Sequence, residues 1–225
     1  MPTLPFTIDA ELLRELGERL VGKPHIALSE LVKNSYDADA TEVTIKFLPH
    51  KDRIEICDDG HGMTSEEFKN FWMRIGTIHK KEEERSREGR LMTGSKGVGR
   101  LAVQFLANEL TIITIPEDEN HNGLEARINW NKAIKTKPAE TKELTAVEVT
   151  YKKVERTRQG TTIILKELKD EWTEDSIRDL ASELWWLQPP LKSLQDDSKS
   201  RFNIRFRSAR RDHTQIGRAS CRERV

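Results

Sequence analysis

Three side chains able to cooperate on a bound polar substrate lie within one short segment, ELVKNSYDADA. Glu30, Asn34 and Asp37 are spaced i, i+4 and i+7, so on a helix they share one face, roughly opposite the apolar one. Asn offers a hard oxygen suited to magnesium, an ion that keeps waters and phosphate oxygens as its other ligands. Glu30, one turn earlier, is placed to polarise an attacking water. Polar helix faces are ordinarily solvated surface, so this spacing gains meaning only from what accompanies it.

A second group, DDGHGM, follows directly from an alternating run in which Asp58 shares the parity of Ile54 and Ile56. Period two therefore turns its carboxyl group inward. An inward carboxylate needs a hydrogen-bond donor or it shifts toward neutrality, and the exocyclic amine of an adenine is one such donor. Gly60 and Gly62 allow the backbone to approach a flat ring, although Asp-Gly is also a common turn.

The third group is GSKGVGR. Gly94, Gly97 and Gly99 sit beside a helix start, where free backbone N–H groups and the helix dipole attract phosphate, and Lys96 and Arg100 add charge. Ser95 and Val98 complete the run. No G-K-[ST] follows, so this is not a P-loop; a charged loop precedes it where a dinucleotide fold has a strand. In RQGTTIIL, Thr161 shares a strand face with Ile163 and Leu165, so its hydroxyl points inward and wants a partner.

The elements that must position these groups are readable from periodicity. Residues 9–21 read as a first helix, broken at Gly22, and residues 24–37 as a second, with Leu28, Leu31, Val32 and Ser35 on its packing face. Alternation predicts a hairpin of strands over 42–48 and 53–58. Thr64 and Glu67 form a capping-box pattern ahead of Phe68, Phe71, Trp72 and Ile75, with Gly76 at the expected helix end. Residues 77–93 are charged and aperiodic, and a helical stripe resumes at Val98, Leu101, Ala102 and Phe105. Further strands are predicted over 110–115, 124–130, 145–151 and 161–165, a helix over 174–186 stopping at Pro189 and Pro190, and one more strand at Phe202, Ile204 and Phe206.

At 225 residues the chain suits one large domain or a domain plus the start of another. Acidic and basic residues balance, which gives no electrostatic reason to expect nucleic acid, a membrane surface or an acidic partner. Two cysteines, Cys57 and Cys221, no apolar run of membrane-spanning length and no leader pattern suggest a reducing, cytoplasmic home. No internal repeat or low-complexity tract is visible. The last ten residues, IGRASCRERV, resemble a translated sequencing adapter. The expected organisation is residues 1–190 as one nucleotide-binding domain, 191–215 as the start of a downstream segment, and 216–225 as an adapter-derived tail.

Each motif alone is common; together and in this order they resemble the N-box, G1, G2 and G3 series of the GHKL superfamily, the ATPases typified by gyrase, MutL, the large heat-shock chaperones and the MORC proteins. The resemblance spans residues 12–165. It implies an α+β, two-layer sandwich (Bergerat fold) with helices on one face of a mixed, mostly antiparallel sheet. By that resemblance ATP and Mg2+ are bound, with Glu30 the general base and Asn34 the magnesium ligand. Asp58 would read adenine, Thr161 would support the ring through water, and Gly60, Gly62 and Met63 would line its pocket. Asp37 joins the nucleotide-binding set, residues 94–100 would wrap the phosphates, and residues 76–93 would form a lid with Lys80 as a phosphate contact. The wider family adds a lysine from a second domain, for which this chain has no room. The implied function is a slow ATPase acting as a conformational switch, with an ATP-dependent homodimer as a possible partner arrangement and any nucleic-acid role open. Histidine-kinase phosphotransfer and ATP sensing without hydrolysis are the alternatives.

Overall fold

A computed structural model of the chain describes residues 22–73, 85–93, 103, 106–130, 149–187 and 202–208. The helix expected before Gly22, the helix end at Ile75 and Gly76, Lys80, the run from Gly94 to Arg100, and the C-terminal tail lie outside the described residues.

Helix α1 spans Pro24–Asp37. Proline opens it, where its missing N–H costs nothing and its fixed φ suits the first turn. It ends where Asp39 takes a left-handed φ of 58° and the Ala38 and Ala40 N–H groups bond back to the Asn34 and Ser35 carbonyls. The chain then runs directly into β1 (Glu42–Leu48), and a short 3-10 turn at Pro49–Lys51 returns it as β2 (Arg53–Asp58). Both strand boundaries match the alternation in the sequence.

Thr64 and Glu67 make the predicted capping box, each side chain bonded to the other's backbone N–H. The helix it starts differs from expectation. After Ser65–Glu67 the ladder widens to a π-turn over Phe68–Trp72, and the Phe68 and Trp72 rings stack 5.4 Å apart. Four-residue spacing of two large rings is compatible with both periods, and the stacked pair accompanies the wider one.

The remaining strands are β3 (Ala107–Ile115), β4 (Gly123–Asn129), β5 (Val149–Val154) and β6 (Gly160–Leu168); α2 (Glu174–Leu184) and β7 (Asn203–Ser208) follow. Strand β3 starts three residues earlier than expected. Helix α2 gives way to a 3-10 turn at Trp185–Leu187 before the expected stop.

Among the described residues the strands form one sheet in the order β5-β4-β3-β6-β2-β1-β7. Every pairing is antiparallel except β1 with β7. One face carries Val43, Ile45, Ile54, Ile56, Leu110, Ile112 and Leu165, which join Leu28, Leu31 and Val32 of α1 in the core. Burial of such rows stabilises the fold at roughly 25 cal/mol per Å² of apolar surface. The opposite face carries charged ladders, including Lys46 to Glu55 at 3.4 Å and Lys152 to Glu125 at 3.2 Å, pairs of a kind that contribute little to stability. Strand β7 lies beside β1 with Phe202 and Ile204 buried.

Candidate functional site

Of the groups singled out from the sequence, Asp58, Gly60 and Thr161 meet at one end of the sheet, where β2 stops, β6 begins and Ser35 of α1 reaches them. Asp58, the last residue of β2, points inward as its parity with Ile54 and Ile56 predicts. Its carboxyl group lies deep among protein atoms, although the residue keeps some access to solvent. Contrary to the expectation from the sequence, the carboxylate needs no outside donor, because it already has three within the protein. Its Oδ1 accepts from the Gly60 and Thr161 N–H groups, both at 3.0 Å, and its Oδ2 accepts from the Ser35 hydroxyl at 2.8 Å. A carboxylate offers about four acceptor positions, so one position on Oδ2 is left. Burial is the largest influence on this group and raises its pKa, against the lowering effect of those three donors.

The segment after β2 is shaped by backbone contact. The His61 N–H reaches the Ala38 carbonyl at 3.0 Å, and the Glu117 N–H reaches the His61 carbonyl at 2.8 Å. Gly62 has φ of 63°, and a Cβ there would meet the Ile115 carbonyl oxygen at 2.0 Å. A side chain at Gly160, φ 125°, would collide with the Asp58 carbonyl at 2.1 Å. Both glycines are thus required for the approach of these strands and loops, beyond any role toward a ring.

Two hydroxyls extend this bonded cluster. Thr114 is fully buried in β3; its Oγ1 accepts from the Met63 N–H at 2.8 Å and lies 3.2 Å from the Thr161 hydroxyl. Thr161 therefore has the inward partner its parity required. Thr114 and Ser35 join the site without a motif of their own to mark them. The signal for Thr114 was available, since it continues the inward row of Leu110 and Ile112 and a hydroxyl there must find a partner. Thr114→Val is expected to leave the Met63 N–H unsatisfied and to cost about 2 kcal/mol, measured by urea unfolding.

On α1, Glu30 is half-buried and accepts from Lys33 Nζ at 2.9 Å; the same ammonium lies 3.5 Å from Glu183 of α2 and 5.8 Å from the Trp186 ring centre. Asn34 follows one turn later, also half-buried. Asp37 shares their face but is covered: it is 7 % exposed, and its Oδ1 accepts from the Thr93 N–H at 2.8 Å and the Thr93 hydroxyl at 2.9 Å. Thr93 immediately precedes Gly94.

Asp59 turns the other way and closes the start of β1. It accepts from the Thr41 and Glu42 N–H groups, both at 2.8 Å, and from the Thr41 hydroxyl at 2.6 Å. Burial works to raise its pKa, but these donors together outweigh it and hold the carboxyl below the ordinary value of 3.8. A depressed folded pKa means stability that is present above the unfolded value and lost as pH falls through the folded one. Asp59→Ala is therefore expected to cost about 2 kcal/mol at neutral pH, with the gap from wild type closing below pH 3.8 in a pH series of urea titrations.

A concavity of about 310 Å³ also borders this end of the sheet, lined by Thr44, Cys57, Asp59, Arg158 and Thr162 among others. Strand alternation puts Thr44, Cys57 and Thr162 on the face away from α1, while Asp58 and Gly160 border the concavity as well, so it meets the constellation above at the sheet's end. Among the described residues no three acidic, His or Cys side chains gather as a metal cage. No helix among them is long and apolar enough to cross a membrane.

Helices on one face of a mostly antiparallel sheet, with an inward aspartate at the sheet's end, define an α+β domain of the Bergerat type. The chain belongs to the histidine kinase-, DNA gyrase B- and HSP90-like ATPases, whose sequence profile matches residues 22–161. It is 30% identical over 172 residues to HgiDII of Herpetosiphon aurantiacus, a protein named for type II restriction, covering 74% of this chain and 26% of that protein. It is 31% identical over 143 residues to the DNA mismatch repair protein MutL of Halobacterium salinarum, covering 63% and 21%. It is 27% identical over 218 residues to the chaperone protein HtpG of Clostridium botulinum, covering 87% and 32%. The chain thus spans between a fifth and a third of the length of these relatives.

Proposed function

We propose that the chain binds Mg-ATP between α1 and the Asp58 end of the sheet, hydrolyses it slowly, and serves as a nucleotide-dependent conformational switch for attached domains or a second copy. The observation that carries this reading is the inward Asp58 carboxylate at the end of β2, which with three donors from the protein has one acceptor position left on Oδ2. An adenine amine would fill that position. Gly60, Gly62 and Met63 present backbone beside it, and the Thr161 hydroxyl offers a second polar contact directly or through water.

Phosphate binding falls, in this reading, to the run Gly94 to Arg100, with Lys80 as a further contact. Asn34 would hold magnesium through its amide oxygen. Its donor set fits an ion that arrives with phosphate, since magnesium takes one or two protein oxygens and fills its octahedron with phosphate and water; bound there, it would neutralise phosphate charge. Glu30 takes a proton from the attacking water as the oxygen bonds to the γ-phosphorus. The bond to the bridging oxygen breaks, and ADP and inorganic phosphate result. A glutamate one turn before the metal ligand favours water activation over phosphoryl transfer to a histidine.

Lys33 is suited to this cycle. When Glu30 is protonated, its ammonium keeps a carboxylate partner in Glu183. An ATP-dependent homodimer and a cytoplasmic setting belong to the same reading, whereas mismatch repair, chaperoning and restriction go with the names of the much longer relatives. Calorimetric titration with ATP, with and without magnesium, tests the proposal. Saturable, magnesium-dependent binding supports it, and no binding up to millimolar nucleotide ends it.

A further inference from the structure

Thr114 lies fully buried in β3, and the strand register sets it directly opposite Thr161 of β6. Its Oγ1 has two polar neighbours, the Met63 nitrogen at 2.8 Å and the Thr161 hydroxyl at 3.2 Å. A backbone N–H can only donate, so Met63 takes a lone pair of Thr114 and leaves the Thr114 hydrogen still to be placed. Thr161 is its one acceptor among the described residues. The reverse arrangement, with Thr161 donating to Thr114, strands a buried hydrogen without a partner, a cost that native structures avoid.

The direction of bonding at Thr161 follows from this count. Its oxygen accepts from Thr114, and its own hydrogen has no partner among the described residues. Thr161 also keeps some access to solvent, where Thr114 has none. The Thr161 N–H holds Asp58 Oδ1 at 3.0 Å, which keeps the hydroxyl of the same residue near the carboxylate whose Oδ2 has an acceptor position left. An acceptor and a donor are thus offered as neighbours. Their complement is an exocyclic amine flanked by an unprotonated ring nitrogen, the pattern that adenine carries at its 6-amino group with N1 on one side and N7 on the other.

We propose that Thr114 is a positioning residue for base recognition. By donating to Thr161 it makes the Thr161 hydroxyl a fixed donor toward the ring nitrogen beside the amine that Asp58 reads. The inference rests on the ATP-binding reading above and adds a polarity to it. Thr114 itself is sealed from any ligand, so its whole effect passes through the orientation of one hydrogen.

The test compares Mg-ATP with its 1-deaza and 7-deaza analogues, in which C–H replaces one ring nitrogen and the amine is kept. Binding is titrated to the full chain and to its Thr114→Val, Thr114→Ser and Thr161→Val variants, with folding checked by circular dichroism. Wild type should bind at least one analogue about fivefold or more weakly than Mg-ATP. That ratio should shrink to about twofold or less in Thr161→Val, and also in Thr114→Val, where the Thr161 hydrogen is free to rotate. Thr114→Ser, which keeps the hydroxyl, should restore it. A loss of packing alone weakens all three ligands together and leaves the ratio unmoved. Wild type that binds Mg-ATP and both analogues equally, or a folded Thr114→Val chain that keeps the full ratio, would overturn the proposal. If Thr114→Val does not fold, Thr114→Cys decides on the same ratio, because a thiol is a weak donor: a reduced ratio supports the proposal and a full one refutes it. Failure of the wild-type chain to bind Mg-ATP at all would instead sink the ATP-binding reading, and this inference with it.

Discussion

Asp58→Asn is expected to remove ATP binding while leaving the chain folded. The substituted amide keeps one oxygen, which can go on accepting from the Gly60 and Thr161 N–H groups. The amide nitrogen replaces Oδ2 and can donate to the Ser35 hydroxyl, whose own hydrogen turns toward the Leu31 carbonyl, 3.5 Å away. Internal bonding therefore survives. The remaining acceptor position becomes an N–H facing the adenine amine, so donor opposes donor. Loss of a hydrogen bond to a charged group, with that opposition added, predicts a fall of about a hundredfold or more in affinity. A folded Asp58→Asn protein that binds ATP as wild type does would show that Asp58 does not read the base.

The same residue gives the binding a pH dependence. Burial raises the Asp58 pKa above the ordinary 3.8, and protonation fills the acceptor position that the amine needs. Wild-type affinity should thus weaken in mild acid, above the usual carboxylate range, while Asp58→Asn stays flat. Stability moves in the opposite sense. A raised folded pKa contributes stability that is full below the unfolded value and lost as pH rises through the folded one, so at this position acid favours the fold and disfavours the ligand.

Glu30→Gln is the second large effect, and it falls on turnover alone. Glutamine retains an oxygen for Lys33 and nearly the same volume, but cannot take a proton from water. Binding of Mg-ATP should remain within about twofold of wild type, and phosphate release, followed with the chain in excess over labelled ATP, should slow by about 10² to 10⁴. Undiminished release would remove Glu30 from the role of base. Lost binding would reassign it to holding the nucleotide.

How far the sequence revealed this arrangement depends on whether the controlling contact is local. Helix α1, β1 and β2 are set by proline at the first turn, by helical spacing of apolar residues and by strict alternation, and their boundaries follow from the residues themselves. The insertion of β6 between β3 and β2 is a long-range pairing with no local signature. Ser35 is small and shares the packing face of α1, which reads as core, yet it donates to Asp58. Two polar residues in facing inward rows were the available sign. Helical spacing puts Asp37 on the face of Glu30 and Asn34, but spacing carries no sign that Thr93 covers it. Arg90 sits in a stretch whose charge and lack of period suggest solvated loop, and nothing nearby in sequence marks one arginine as buried.

The parallel edge of the sheet has a mechanical consequence. Strand β7 enters beside the site, where the Asn203 N–H bonds the Thr41 carbonyl and Phe202 meets the Tyr36 ring edge-on at 5.3 Å, and leaves at the far end of β1 after six registered residues. Tension on the chain beyond Ser208 therefore loads those pairs together in shear and cannot peel them one at a time. The Phe202–Tyr36 contact ties this edge to the last turn of the helix that bears Glu30 and Asn34, so a displacement of β7 would be felt at that turn.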